Sequence, residues 1–489
     1  MEGPEIAENI LPTYAGYDKD RPQDGREVEN GKINEENMEE DREGEQSMWA
    51  LLPHTCLLQV FLHLNDRDRV RAALVCRHWH HVVRSPSLWR VRTFNFSGRV
   101  SRSHRSEMET AVSFATSYGR YLEDLEIRFS HPINSLVTRR FQQATRAFLS
   151  ALRKTHSRLQ ALTIKHLDLD RSSWCRSVRC GLLRSLTYYL RKEGSWMNYM
   201  NLRGARFNLQ QGLEVLEALS TAQRHKHIGR RLGLATLNLE DYFSQSIPVY
   251  NNADFPQIMQ RFRGLTTLTM NYSCVSEQLL DALATGCRGL DNSGQPMLRS
   301  LTIRCHIHEP HGQMIWGNAW ANLARRCPEL RVHMYVERIL NLDSLSRILL
   351  REIPIKTLSL SSCYFSEQDW SAKPALSQLA PFYHQHLQRL SLDLNNCHEQ
   401  VDEELLELIL SCKKLVYLKV WAFLSINFLE RLLQSRMERK INVKTIKVRI
   451  YTNTFETQEE DEMLEGLHLR YRPLIDSELN YFACSYPML

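Results

Sequence analysis

The chain has 489 residues, 43% of them hydrophobic and 24% charged, with a formal net charge of +6, a composition that fits a soluble globular protein of two to four ordinary domains or one long repeat array. Its twelve cysteines are scattered and never form C-x-x-C, which argues against a zinc ribbon or finger. With no apolar N-terminal signal region and no uncharged apolar run near ~20 residues, the reading is no membrane partner and a reducing cytoplasmic and/or nuclear setting.

Charge is unevenly spread. Residues 1–47 hold fifteen Asp and Glu against five Lys and Arg, so this leader carries −10 and the remaining chain +16. Poor in aromatics and rich in Glu, Asp, Asn, Gly and Pro, the leader is expected to be disordered. The basic body is read as a mixed surface with a cationic excess, with no nucleic-acid partner.

Met48 to Arg90 reads as three short helices. Leu52-Pro53 opens the stretch, and Leu57, Val60, Phe61 and Leu64 recur on one helical face. Asn65-Asp66 stops that helix and is placed to cap the next. Leu74, Val75, Cys76 and Trp79 form a second apolar cluster, and Leu88-Trp89 closes the unit. Some forty residues are too few to bury all these groups among themselves, so part of the set should meet a partner. The ordered set of Leu52-Pro53, the Leu57/Val60/Phe61/Leu64 stripe, Leu74-Val75-Cys76-Arg77-x-Trp79 and Ser87-Leu88-Trp89 resembles an F-box. That resemblance implies docking onto the S-phase kinase-associated adaptor protein, and through it onto a cullin and a RING subunit. It assigns adaptor binding to Leu52, Pro53, Leu57, Val60, Phe61, Leu64, Leu74, Val75, Cys76, Trp79, Leu88 and Trp89.

Residues 91–99 are compatible with a short first strand that places Phe94 and Phe96 on one face, although Arg92 shares it, and 101–121 with a helix. The pattern apolar-x-x-apolar-x-apolar then recurs ten times, starting at Leu122, Leu159, Met197, Leu234, Leu265, Leu298, Ile355, Leu387, Leu415 and Val443, with an irregular copy over Leu330 to Val336. This is the kernel of a leucine-rich repeat, each copy supplying one short strand. The spacers Leu213 to Ala222, Ser276 to Cys287, Trp316 to Cys327 and Asp402 to Cys412 have the apolar spacing of amphipathic helices. The Asn/Cys position three residues past the kernel is matched only by Cys363 and Asn395, so the array should be irregular. From Tyr451 the pattern stops, and one helix plus the apolar segment Leu479 to Tyr486 is read as a terminal cap.

The expected fold class is therefore α/β: an N-terminal all-helical F-box followed by an irregular leucine-rich-repeat solenoid, with parallel strands on the concave face and helices outside. The expected boundaries are a leader over 1–47, the F-box over 48–95, the array over 96–450 and the cap over 451–489.

Catalytic motifs are absent: there is no phosphate-binding glycine loop, no G-x-S-x-G and no H-E-x-x-H. Cys305-His306-x-His308-x-x-His311 has metal-ligating residue types, but it follows a kernel strand and its spacing fits a strand-to-helix loop better than a zinc site. No cofactor is expected. The basic run Arg224 to Arg231 is read as a solvated loop. Tyr242, Tyr272, Tyr364 and Trp421, just after kernels, and His308 in the loop are the candidate target-binding residues. With no catalytic motif in view, the F-box resemblance implies a non-catalytic substrate-recognition subunit of a cullin–RING ubiquitin ligase of the SKP–cullin–F-box type, recruiting an unidentified target protein for ubiquitination. A repeat scaffold outside the ligase system is the alternative.

Overall fold

The computed structural model describes residues 48–97, 107–224, 233–286, 297–339, 342–361, 371–452 and 458–487. The acidic leader, residues 225–231 of the basic run, Cys363 and Tyr364 lie outside them. The chain divides into two compact units after Arg84.

The first unit is a helical head. A short turn over Met48–Leu51 leads into α1 (His54–Leu62), α2 (Asp66–Ala72) and α3 (Arg77–Val83). Each junction has a local cause. Asn65 caps α2, its side-chain oxygen accepting from the Asp68 backbone N–H at 3.0 Å. Arg69 Nε donates to the Phe61 carbonyl at 2.9 Å and Nη2 to that of Leu62 at 3.1 Å, satisfying the open end of α1. Cys76 Sγ accepts from the Trp79 N–H and starts α3. Replacing Asn65 with Ala is expected to cost the head about 1 kcal/mol, read as an earlier unfolding midpoint in urea.

The second unit carries one thirteen-stranded sheet in which strand order equals chain order. Its strands are β1 (Val91–Phe96), β2 (Asp124–Phe129), β3 (Ala161–Lys165), β4 (Tyr199–Asn201), β5 (Thr236–Leu239), β6 (Thr267–Asn271) and β7 (Ser300–His306). They continue as β8 (Arg331–Glu337), β9 (Ile355–Ser361), β10 (Arg389–Asp393), β11 (Tyr417–Ala422), β12 (Thr445–Thr452) and β13 (Asn480–Pro487). Every neighbouring pair is parallel. All three apolar positions of all ten regular kernels are buried, none more than 5% exposed. The intervening residues are largely half-buried and form the sheet's open face.

The spacers fold as helices, including Leu209–Arg224, Glu277–Gly286, Gly317–Arg326 and Asp402–Ser411. The long early spacers hold long helices, Ser135–Lys154 and Arg176–Glu193. The irregular kernel is β8, where the register with β9 slips between Val332 and His333. Arg92 does lie on the aromatic side of β1. Its guanidinium sits 4.7 Å from the Phe114 ring centre and 5.5 Å from that of Trp89, and burial pushes its pKa down to about 10. Past residue 450 the segment Asn480–Pro487 extends the sheet, pairing with β12 from Thr445 to Thr452. Among the described residues no helix is long and apolar enough to cross a membrane.

Candidate functional site

The head sorts its apolar residues into two sets. Leu57, Phe61, Ala72, Ala73, Val82 and Val83 form its interior. Leu57 and Phe61, expected from the sequence to touch a partner directly, are thus internal: one turn apart on α1, they point together into the core, where Phe61 meets the Trp79 ring edge-to-face at 5.3 Å. The second set remains outside. Leu74 is 72% exposed, Leu51 67%, Val75 64% and Trp49 59%; Val60 and Leu62 are also exposed. Pro53 is exposed, and Leu52, Leu64, Cys76 and Trp79 are half-buried.

Hydrogen bonds hold this surface in place. Trp79 Nε1 donates to the Trp49 carbonyl at 3.3 Å, and the Leu52 carbonyl lies 3.1 Å from His78 Nε2. The chain ahead of α1 is thereby pinned to α3. Leu74 and Val75 sit in the turn between α2 and α3, where the Ala73 carbonyl is engaged by His80 Nδ1 at 3.2 Å. Such a concentration of exposed aliphatic and aromatic groups on so small a unit is what a docking surface requires. Trp49, Leu51 and Leu62 were not singled out from the sequence. Their signal was available in the apolar residues that adjoin Leu52-Pro53 and in the second apolar position beside Phe61.

Leu88 and Trp89 require correction as docking residues. Both are buried in the second unit, where Trp89 stacks on Tyr118 at 4.5 Å. Tyr242 and Tyr272 are likewise internal and cannot meet a target. The Tyr242 hydroxyl donates to the Gly212 carbonyl at 2.8 Å, in a niche left open by the missing side chain of Gly212, where a Cβ would collide with the Phe243 ring and crowd that of Tyr242. Tyr272 Oη donates to the Arg347 carbonyl. Burial holds both phenol pKa values above the ordinary range.

Trp421 is half-buried on the open face, and His308 is exposed in the loop after β7. That loop is pinned by Glu309, a buried carboxylate that the sequence reading passed over. It accepts from the His306 N–H at 2.6 Å and from the Ser273 N–H at 3.3 Å. Cys305 and His306 face opposite ways: the thiol is buried, and the imidazole pairs with Glu337 at 2.9 Å, which raises its pKa. No group of three His, Cys, Asp or Glu side chains among the described residues is arranged to hold a metal ion. The buried asparagine after β10 is Asn396, not Asn395. Its side chain accepts from the Phe423 N–H and donates to the Phe423 carbonyl, each at 2.9 Å, tying two successive repeats together.

A family model described as F-box-like matches residues 49–95. F-box/LRR-repeat protein 21 of Mus musculus is 45% identical over 49 residues, covering 10% of this chain and 11% of that protein. The Ovis aries protein of the same name is 25% identical over 312 residues, covering 59% of each. F-box/LRR-repeat protein 8 of Homo sapiens is 22% identical over 312 residues, covering 63% of this chain and 74% of that protein. The chain therefore spans about a tenth of the first of these relatives and 59% of the second.

Proposed function

We propose that this chain, an F-box-like domain joined to a leucine-rich-repeat solenoid and related to F-box/LRR-repeat proteins 21 and 8, is the substrate-recognition subunit of a cullin–RING ubiquitin ligase of the SKP–cullin–F-box type. The observation that carries this reading is the exposed apolar surface of the head. Its core is already filled by Leu57, Phe61, Ala72, Ala73, Val82 and Val83, yet Trp49, Leu51, Val60, Leu62, Leu74 and Val75 are left in solvent. Their burial is deferred to the S-phase kinase-associated adaptor.

The receptor does no bond chemistry. The solenoid holds a target near a ubiquitin-loaded enzyme, and tethering raises the effective concentration of the acceptor lysine. Within the F-box proteins, the stretches Cys305 to Arg325, Leu350 to Ser366, Lys419 to Ser425 and Arg449 to Asp461 resemble F-box only protein 39. The resemblance names no substrate. The cytoplasm and the nucleus are the proposed locations, since both hold the ligase machinery that the head would join.

Co-expression with the adaptor tests the reading. The expected result is a complex that survives gel filtration and is more soluble than the chain alone. A chain that stays monomeric and soluble beside the adaptor would favour the scaffold alternative.

A further inference from the structure

The charges on the sheet's open face are handled differently at its two ends. In the earlier repeats the basic groups meet carboxylates. Glu126 pairs with Arg128 at 2.7 Å and Lys165 at 2.6 Å, and Glu240 with Arg304 at 2.7 Å and Arg203 at 3.1 Å. On the last strands they do not. Arg389, Lys419, Lys447 and Arg449 project from the open face of β10, β11 and β12, and none forms an ion pair with a carboxylate among the described residues. Three of them stack on aromatic rings: Arg389 lies 3.8 Å from the Tyr417 ring centre, and Lys419 and Arg449 lie 3.3 and 4.1 Å from that of Trp421. Asp393 is the one described carboxylate at an open-face position of β9 to β13, and it accepts from the Tyr451 hydroxyl at 3.0 Å. Burial and the nearby Arg449 and Lys447 depress the Lys419 pKa against the opposing pull of Asp393. Next to this cluster, Phe482 and Tyr486 of β13 are 47% and 48% exposed.

We propose that the open face of β10 to β13 binds an acidic linear segment of a target protein, its carboxylates meeting Arg389, Lys419, Lys447 and Arg449 and an adjoining apolar side chain resting on Phe482 and Tyr486. This deepens the receptor reading by giving the target a chemistry. Charge complementarity selects an anionic partner, because four cations on adjacent strands repel one another and Asp393 is the one described open-face carboxylate of these strands that offsets them. Their spread selects a run of carboxylates. Strands lie roughly 4.8 Å apart, so the cations extend over about 10 Å instead of converging as a fork on one dianion. Lys447 and Arg449, two residues apart on β12, match the ~6.8 Å repeat of alternate side chains in an extended peptide. A single-stranded nucleic acid fits less well. It needs free ring faces for its bases, and Trp421 and Tyr417 already have cations stacked on them.

The test uses the full chain bound to its adaptor and fluorescence anisotropy of a labelled peptide that alternates glutamate and serine and ends in leucine and phenylalanine. Binding is expected to weaken with rising salt. It should fall at least about tenfold when the peptide's glutamates become glutamines, and by a similar factor in the variant Lys447→Glu with Arg449→Glu. The variant Lys447→Gln with Arg449→Gln should lie between, and Arg128→Glu, in the paired part of the face, should leave affinity unchanged. Adaptor capture by each variant is expected to persist, which separates failure of this proposal from failure of the receptor reading. Three results would overturn it: equal binding of the glutamine peptide, undiminished binding by the charge-reversed variant, or displacement of the peptide by a much tighter oligouridylate. Peptide binding seen only after the acidic residues of 1–47 are changed to amides would also overturn it, assigning the patch to the chain's own leader.

Discussion

The double variant Leu74→Glu with Val75→Glu is expected to abolish adaptor capture while leaving the head folded. Both side chains are largely in solvent in the isolated chain, so the substitutions should change its own stability by no more than about 0.5 kcal/mol. Once docked, the same positions would have to bury two carboxylates against an apolar partner. With about 2 kcal/mol or more lost at each centrally placed position, affinity should fall at least about 100-fold. Surface immobilisation of the adaptor reads the first quantity, and far-ultraviolet circular dichroism with urea melting reads the second. Unaltered capture by a folded double variant would remove the head from the interface. Phe61→Ala gives a contrast: capture should fail there too, but with loss of helical signal, because Phe61 acts from inside.

Trp89→Ala is expected to cost about 3–5 kcal/mol of stability in the first repeats, the range for removing a buried large aromatic. Trp89 is only 4% exposed and packs on Tyr118 and Phe114, with the Arg92 guanidinium 5.5 Å from its ring centre. Because repeats contact mainly their neighbours, the damage should remain near that end. Hydrogen exchange should show protection lost in β1 and β2 and kept from β5 onward, with adaptor capture unchanged. Retained protection in β1 alongside lost capture would return Trp89 to the docking surface.

The two predictions separate residues that the sequence grouped together. Its readable part was periodicity. A kernel such as Leu390/Leu392 announces both a strand and its buried face, since alternate residues must point opposite ways. The helices between kernels follow from their own apolar spacing, and even β8 is irregular where its kernel is irregular. What periodicity lacks is direction among short helices that cross. Phe61 and Leu74 are equally apolar, and only their packing places one inside and the other in solvent. Tyr242 resembled a recognition aromatic because it follows a kernel, and its burial depends on the missing side chain at Gly212, thirty positions earlier. Glu309 was hidden for the opposite reason. A charged residue in a loop is ordinarily solvated, and nothing nearby in sequence reveals that the Ser273 N–H would reach it. Arg92 looked like a flaw in a strand pattern and is instead a cation lying over rings.

The identity between strand order and chain order bears on how the protein is made. A ribosome releases the chain from its N-terminus, and β1 to β13 leave in the order in which they pair. Each new strand therefore meets the exposed edge of its finished predecessor, about thirty residues behind it, and never waits for a partner still to be synthesised. Sheets whose neighbouring strands are far apart in sequence must keep unpaired edges open while the remainder is translated. Here only the growing edge awaits a strand at any moment, the outer edge of β1 having no strand partner in the sheet, and the next residues to emerge are the ones that cover that growing edge.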